Sequence, residues 1–350
     1  VYALGNLGLA LLTSDDAPEA TRQLRAAFVA AEASLGPKHP HLALLAINLG
    51  TGLISLHKFG EAASYFERAL ALQTELLGPD APDLHYVLTA IGDLALDQRR
   101  CSDAETSYQR ALQVLGVGEQ TDNPAALQPL VGLARAASCQ ENFAVARKRF
   151  ERALALATHS FGADELRTAE VADRHGDMLL RAGEPDAAMA QYRRALEIRK
   201  ARLPAGSPVL AESQRRIAEL HRRAGRYPDA AALLTQAQAL REGGPMVESA
   251  EAALLRLRLG DLTLERGDPA GARTHYERAI AIYTAISDSD ILELAMARFG
   301  LARALSAASG GLAPAARELA EQALAALTHH GPAYAPEQKA VRAWLSARAR

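Results

Sequence analysis

Apolar and polar positions recur along this chain with a fixed period. A small residue returns at Ala20, Ala62, Ala104, Ala146, Ala188, Ala230 and Ala272, and a second alanine row runs seven residues on, from Ala27 to Ala279. Between the two rows stands a larger apolar residue: Leu24, Phe66, Tyr108, Phe150, Tyr192, Leu234 and Tyr276. Every step is 42 residues, and an eighth copy at Ala316, Ala320 and Ala323 is displaced by two residues near Ser309, with Ala320 in place of the large residue. Spacings of four and three put all three rows on one face of a helix, here named helix B.

Upstream of each copy lies a second helical pattern, helix A. Its own row reads Gly8, Gly50, Gly92, Ala134, Gly176, Ala218, Gly260 and Ala302, preceded by an apolar residue except at His175. Glycine inside a helix costs roughly 1 kcal/mol relative to alanine, so its return at one position implies that another helix passes close by. The alanine rows of helix B are the expected neighbour. Gly183, Gly225 and Gly267 mark the A-to-B turn, where a helix end favours a residue that accepts positive φ. After helix B, Pro- and Gly-containing segments such as Leu35–Pro40, Leu77–Pro82 and Ala205–Pro208 stop the helix. Pro129 is expected to delay the start of the fourth helix A. From Pro336 to Arg350 a final amphipathic helix, with Ala340, Val341, Trp344 and Leu345 on its apolar side, is expected to cap the last repeat.

The Gly8, Ala20, Leu24, Ala27 set and its copies resemble the tetratricopeptide (TPR) family, and the resemblance runs through nearly the whole chain. The usual period of that family is 34 residues. The 42-residue step with connectors such as "LGPDAP" looks like the kinesin light chain type of repeat, also common in large bacterial proteins. HEAT repeats and propeller blades share periods of this size, but no alternating strand pattern is present, and HEAT arrays do not call for these small-residue rows. The resemblance implies an all-α, right-handed α-solenoid of about eight helix-turn-helix repeats. Their expected bounds are 1–40, 41–82, 83–124, 125–166, 167–208, 209–250, 251–290 and 291–330, in one array over 1–330, followed by the cap over 336–350.

Composition narrows the function classes. Formal net charge is −2 across 350 residues, which gives no basic footprint for nucleic acid. No long apolar run or signal peptide is present, so a cytoplasmic protein without a membrane span is expected. An Ala-, Arg-, Gly- and Leu-rich composition suggests a bacterial source. The two cysteines, Cys101 and Cys139, make no disulfide framework and are read as unpaired, Cys101 as a small packing residue. His39 and His41 straddle a helix break, and His329-His330 end a helix, so neither pair suggests a metal site. His175, in an apolar row, is read as a buried imidazole with its hydrogen bonds satisfied. No nucleophile, phosphate-loop or metal motif stands out, so no catalytic residue, metal or cofactor is expected and the chain is read as a non-enzyme.

In the family this sequence resembles, the A helices line a concave groove that receives a peptide or partner segment. By that resemblance Asn6 and Asn48 would hold a peptide backbone, and Arg174, Arg216 and Arg258, in the same row, an acidic segment. Neighbouring rows add Asp93, Arg135 and Tyr86, and the same A-helix faces add Arg215 and Arg223. Two zones follow. Tyr2, Leu9, Leu12, Leu44, Ile47, Ile54, Tyr86 and Leu96 form an apolar zone, and arginines from Arg135 to Arg258 form a charged zone interleaved with Asp173, Asp177, Glu219 and Asp261. The expected partner is a protein or peptide with an apolar anchor and an acidic flank, since Arg matches carboxylates bidentately. The bland alternative is that these charges pair with one another. Self-association through the N-terminal repeats is a further expectation. So is a role as the sensory arm of a larger bacterial signalling enzyme, a Ser/Thr kinase or a signalling ATPase, with its catalytic domain upstream.

Overall fold

The computed structural model describes residues 17–56, 58–242, 249–286, 292–329 and 334–348. Val1, Tyr2, Asn6, Gly8, Leu9, Leu12 and His330, on which several expectations rest, lie outside the described residues. Among those described there are sixteen α-helices and no strand.

The chain divides into two compact units, Val1–Leu203 and Pro204–Arg350, so the boundary falls in the connector of the expected fifth repeat. In the first unit α1 (Ala17–Leu35) is the B helix of the first repeat. The pairs α2 (His41–Ser55) and α3 (Phe59–Leu77), α4 (Leu84–Asp97) and α5 (Cys101–Val114), α6 (Leu127–Cys139) and α7 (Phe143–Phe161), and α8 (Leu166–Arg181) and α9 (Pro185–Arg202) follow. Each A helix packs on its own B helix and on the preceding B helix, and successive A helices from α2 to α8 touch one another. In the second unit the pairs are α10 (Pro208–Arg223) with α11 (Tyr227–Glu242), α12 (Ala250–Glu265) with α13 (Pro269–Ile286), and α14 (Leu292–Ser309) with α15 (Pro314–His329), followed by α16 (Ala335–Arg348).

The alanine rows are fully buried, as the pattern predicts. The glycine row is explained differently. A Cβ added to Gly92 would lie 2.6 Å from the Tyr108 ring, and Gly50, Gly176 and Gly260 face Phe66, Tyr192 and Tyr276 in the same way. The large residue of helix B, not its alanines, therefore fills the space beside the glycine. Tyr108 also lies against Gly132 of the next A helix, and Tyr276 against Gly300, so each ring is wedged between two A helices.

Turn chemistry follows the sequence where glycine is present: Gly183, Gly225 and Gly267 have φ of 82°, 72° and 82°. At the equivalent positions of the third and fourth repeats, Arg99 and Glu141 adopt φ of 56° and 61°, a region that costs side-chain-bearing residues about 1–2 kcal/mol. The fourth A helix does start late: in the 42-residue register its first residue, Leu127, lies one to three positions after the first residues of the A helices at His41, Leu84, Leu166, Pro208 and Ala250. A 3₁₀ turn over Pro124–Ala126 leads directly into α6 at Leu127, and Pro129 falls in the first turn, where a backbone N–H has no helical acceptor.

The last helix covers the final repeat. Val341 is fully buried, Trp344 meets Phe299 edge-to-face at 5.6 Å, and Gln338 donates to the Leu327 carbonyl at 2.9 Å. Ala340, expected on the covered side, is exposed instead.

Candidate functional site

Within the first unit the A helices α2, α4, α6 and α8 line a trough of about 710 Å³. Its apolar lining is Ile47 and Ile54 on α2, Tyr86 and Ala90 on α4, and Val131 on α6. Tyr86 is 62% exposed and rests beside His85, so a large apolar ring stands open in the trough. Its charged lining is Asp93 and Asp97 on α4, Arg135 on α6, and Arg167, Glu170 and Arg174 on α8. A second cavity of about 530 Å³ shares Asp97, Arg135 and Arg174 with the trough and extends past Arg99, Asp177 and Arg181.

Two of the acidic groups here, Asp93 and Asp177, are engaged in holding the repeats. Asp93 accepts from the Tyr108 hydroxyl at 2.8 Å and from Arg135 at 2.6 Å. Asp177 accepts from Tyr192 at 2.8 Å, and in the second unit Asp261 accepts from Tyr276 at 2.9 Å. Burial, with the Asp93 carboxylate next in importance, raises the Tyr108 hydroxyl far above its ordinary range, so it stays a donor. Where helix B carries Phe66 or Phe150, the position fifteen residues earlier is Thr51 or Arg135, not Asp. The Tyr–Asp pairing is thus visible in the sequence, one aspartate fifteen residues before each of these tyrosines. Asp93 and Arg135, expected as ligand contacts, are already bonded to each other.

Arg174 has no hydrogen-bond or ion-pair partner among the described residues, and it borders both cavities. Arg167, which the rows passed over, lies seven residues before it, and Arg181 seven after. That spacing keeps the three guanidiniums along one face of α8. Arg167 stacks over the Phe161 ring at 4.4 Å, and Arg181 reaches only the Ser138 hydroxyl at 3.3 Å. Asp173, expected among the groove charges, is buried and paired with Arg199 of α9, so it faces the repeat interior. Asn48 is half-buried on α2 and is not part of the lining. Leu44 is exposed on α2, and Leu96 lines the second cavity.

The candidate arginines of the second unit are paired along their own helices. Arg215 holds Glu212 bidentately at 2.6 and 2.7 Å, and Arg216 joins the same carboxylate at 2.9 Å. Arg223 donates to Glu219 at 2.7 Å, and Arg258 to Asp261 at 3.2 Å. Burial pushes the Glu219 carboxyl up, but hydrogen bonds from Arg222 and Arg223 outweigh it and hold the group at about 2. Self-pairing thus accounts for Arg215, Arg216, Arg223 and Arg258.

Three residues behave unlike their expectation. His175 is buried, yet neither ring nitrogen has a hydrogen-bond partner, and the ring stacks on Phe150 at 5.4 Å and 8°. Burial lowers it to about 4, with a smaller push from Arg147. Cys101 and Cys139 are not free: they form a disulfide with Cα atoms 5.7 Å apart. The separation of 38 residues brings the start of a B helix beside the end of the next A helix, a neighbour relation that cysteine counting does not reveal. Among the described residues no group of His, Cys, Asp and Glu suited to a metal is present, and no helix is long and apolar enough to cross a membrane.

Comparison with known proteins agrees with this geometry. Tetratricopeptide repeat families match residues 2–75, 52–115 and 126–201, and again 215–290. No curated protein matches the chain. Among solved structures, a Rap protein complexed with competence and sporulation factor is similar over 99% of both chains at 15% identity, with a TM-score of 0.60. The APC/C hetero-tetramer Cut9-Hcn1 is similar over 82% of this chain and 48% of that one, at 17% identity and a TM-score of 0.54. A kinesin light chain-like protein of Podosopora anserina, built from nearly identical TPR-like repeats, is similar over 60% of this chain and 98% of its own, at 20% identity and a TM-score of 0.50. At these identities the likeness is one of fold. Tetratricopeptide repeat proteins mediate protein–protein interactions. With the family matches spanning most of its length and its helices paired as A/B hairpins, the chain belongs to the tetratricopeptide repeat family.

Proposed function

We propose that this protein is a non-enzymatic interaction scaffold that takes an extended segment of a protein partner into the trough of the first unit. The segment's apolar side chain would rest on Ile47, Ile54 and Tyr86, and a carboxylate farther along the segment would meet Arg174. The observation that carries this reading is the unpartnered Arg174 guanidinium in the lining of an open trough that also exposes Ile47, Ile54 and Tyr86. Neighbouring charges such as Arg135 and Asp93 are already bonded to each other, and Arg167 is stacked on Phe161, so Arg174 is the trough arginine with neither an ion pair nor a ring contact among the described residues. A guanidinium and carboxylate can meet through two parallel hydrogen bonds, a stronger contact than a neutral pair.

A random twelve-residue peptide library displayed on phage, selected against the immobilised full chain, tests this. Enriched peptides should carry an apolar residue together with an Asp or Glu. Arg174→Glu should weaken their binding at least about tenfold by reversing the charge they meet, with helicity unchanged. Enrichment without acidic residues, or equal binding by Arg174→Glu, would rule out the carboxylate contact. No enrichment at all would count against the trough as a peptide site.

A further inference from the structure

The Cys101–Cys139 disulfide lies in the wall of the same site. Both cysteines are half-buried and line the 530 Å³ cavity with Arg135, Arg174 and Arg181. The bond joins the first residue of α5 to the last residue of α6, two helices of successive repeats. Cys139 lies four residues after Arg135, so both occupy one face of α6. Arg135 in turn bonds Asp93 of α4 across the trough. The cross-link therefore fixes the end of the helix whose arginine ties two walls of the groove together. One repeat earlier, the position of Cys101 is Phe59, whose aromatic side chain packs against the core of its repeats. At the third repeat that contact is replaced by a covalent bond, and breaking the bond leaves two small thiols where an aromatic would otherwise hold the junction.

We propose that Cys101–Cys139 is a redox latch on the peptide trough. The oxidised form holds the trough in its binding shape, and reduction by a dithiol loosens the α5–α6 junction and weakens the partner. This regulation rests on the function proposed above. The exchange is balanced within the named reagents. A thiolate of the dithiol attacks one sulfur, the Cys101–Cys139 bond breaks, and a mixed disulfide forms. The second thiolate of the reagent then displaces the protein sulfur and closes a cyclic disulfide. Two electrons and two protons pass to the cysteines. Each departing protein thiolate develops its charge in a cavity where four arginines, Arg99, Arg135, Arg174 and Arg181, outnumber two carboxylates, Asp97 and Asp177, a balance that favours the anion. Binding is favoured when a site is held in its bound geometry beforehand, so the oxidised form is the tight-binding one.

The test uses the full chain in three forms: oxidised, reduced with dithiothreitol, and Cys101→Ser with Cys139→Ser. The chain holds two cysteines, so the reagent has no other thiol target. Hydrogen–deuterium exchange should rise at least about tenfold in the last turn of α6 on reduction, the size expected when a cross-link stops opposing local opening. A fluorescein-labelled peptide taken from the phage selection should lose at least about fivefold in affinity, since fixing the site beforehand accounts for part of the binding. The serine variant should copy the reduced form and ignore dithiothreitol. Unchanged exchange and unchanged affinity on reduction would overturn the latch. Equal affinity with raised exchange would also overturn it, because the junction would then move without touching the trough. Should no peptide bind either form, the scaffold reading fails on its own, and unchanged exchange would still sink the latch separately.

Discussion

His175→Leu isolates the cost of a buried imidazole. In the other repeats this row holds Leu or Ile, so leucine suits the site sterically, and it removes two ring nitrogens that have no partner. The groups that act on the ring are Arg147 and Glu184, which are paired with each other, and its contact is the Phe150 ring. Burial holds His175 at about 4, against 6.5 in an unfolded chain. A group whose folded value lies below its unfolded value is favoured in its neutral form. Its contribution is complete above about pH 6.5 and is lost as pH falls toward 4. Linkage between those two values gives a loss of about 2 kcal/mol at pH 5 and about 0.2 kcal/mol at pH 7. The leucine variant escapes this loss, so the stability gap between variant and wild type should widen by about 2 kcal/mol from pH 7 to pH 5. For an unfolding unit of this size that corresponds to roughly 4–8 °C in melting temperature. Differential scanning calorimetry of both proteins at the two pH values measures it. The two units can melt separately, so the comparison is made on the transition that the substitution moves. Groups common to both proteins cancel. Parallel pH dependence, with the gap constant within about 0.5 kcal/mol, would refute the buried neutral imidazole.

Other substitutions probe the repeat itself. Glu141→Gly relieves a left-handed backbone position and should raise stability by about 0.5–1 kcal/mol, read from urea unfolding. Gly92→Ala drives a methyl into the Tyr108 ring and should cost about 1–3 kcal/mol by the same assay, with loss of the Tyr108–Asp93 hydrogen bond visible in a crystal structure of the variant. Arg199→Met leaves Asp173 buried without its counter-charge and should cost about 3–5 kcal/mol. Adding Asp173→Asn should recover part of that loss in a double-mutant cycle.

Much of the fold was legible because each repeat restates the same packing problem. The alanine rows read as a buried face, and the structure buries all of them. The glycine row read as a close approach, which is right, but the partner is an aromatic ring from helix B that sits between two A helices. That contact joins residues sixteen and twenty-four apart (Gly92 to Tyr108, Tyr108 to Gly132), and helical periodicity alone does not rank such pairs. The charged rows were less informative. Which side of α8 a charge faces depends on a few tens of degrees of helix rotation, so Asp173 and Arg174, adjacent in sequence, end in the interior and in the groove. The i, i+3 and i, i+4 pairs of α10 could have been read directly, since Glu212 precedes Arg215 and Arg216, and Glu219 precedes Arg222 and Arg223, at helical spacing. The disulfide was missed for a different reason. Its two ends meet only after successive repeats have stacked, so its 38-residue separation has meaning only within the 42-residue period.

Hydrogen–deuterium exchange of the full chain, with and without a peptide enriched in the phage selection, tests the central claim most directly. Binding in the trough predicts added protection on α2, α4, α6 and α8, greatest around Tyr86, Val131 and Arg174, with the B helices α3, α5 and α7 little changed. Protection confined to the B helices or to the second unit, with none on these four A helices, would contradict it.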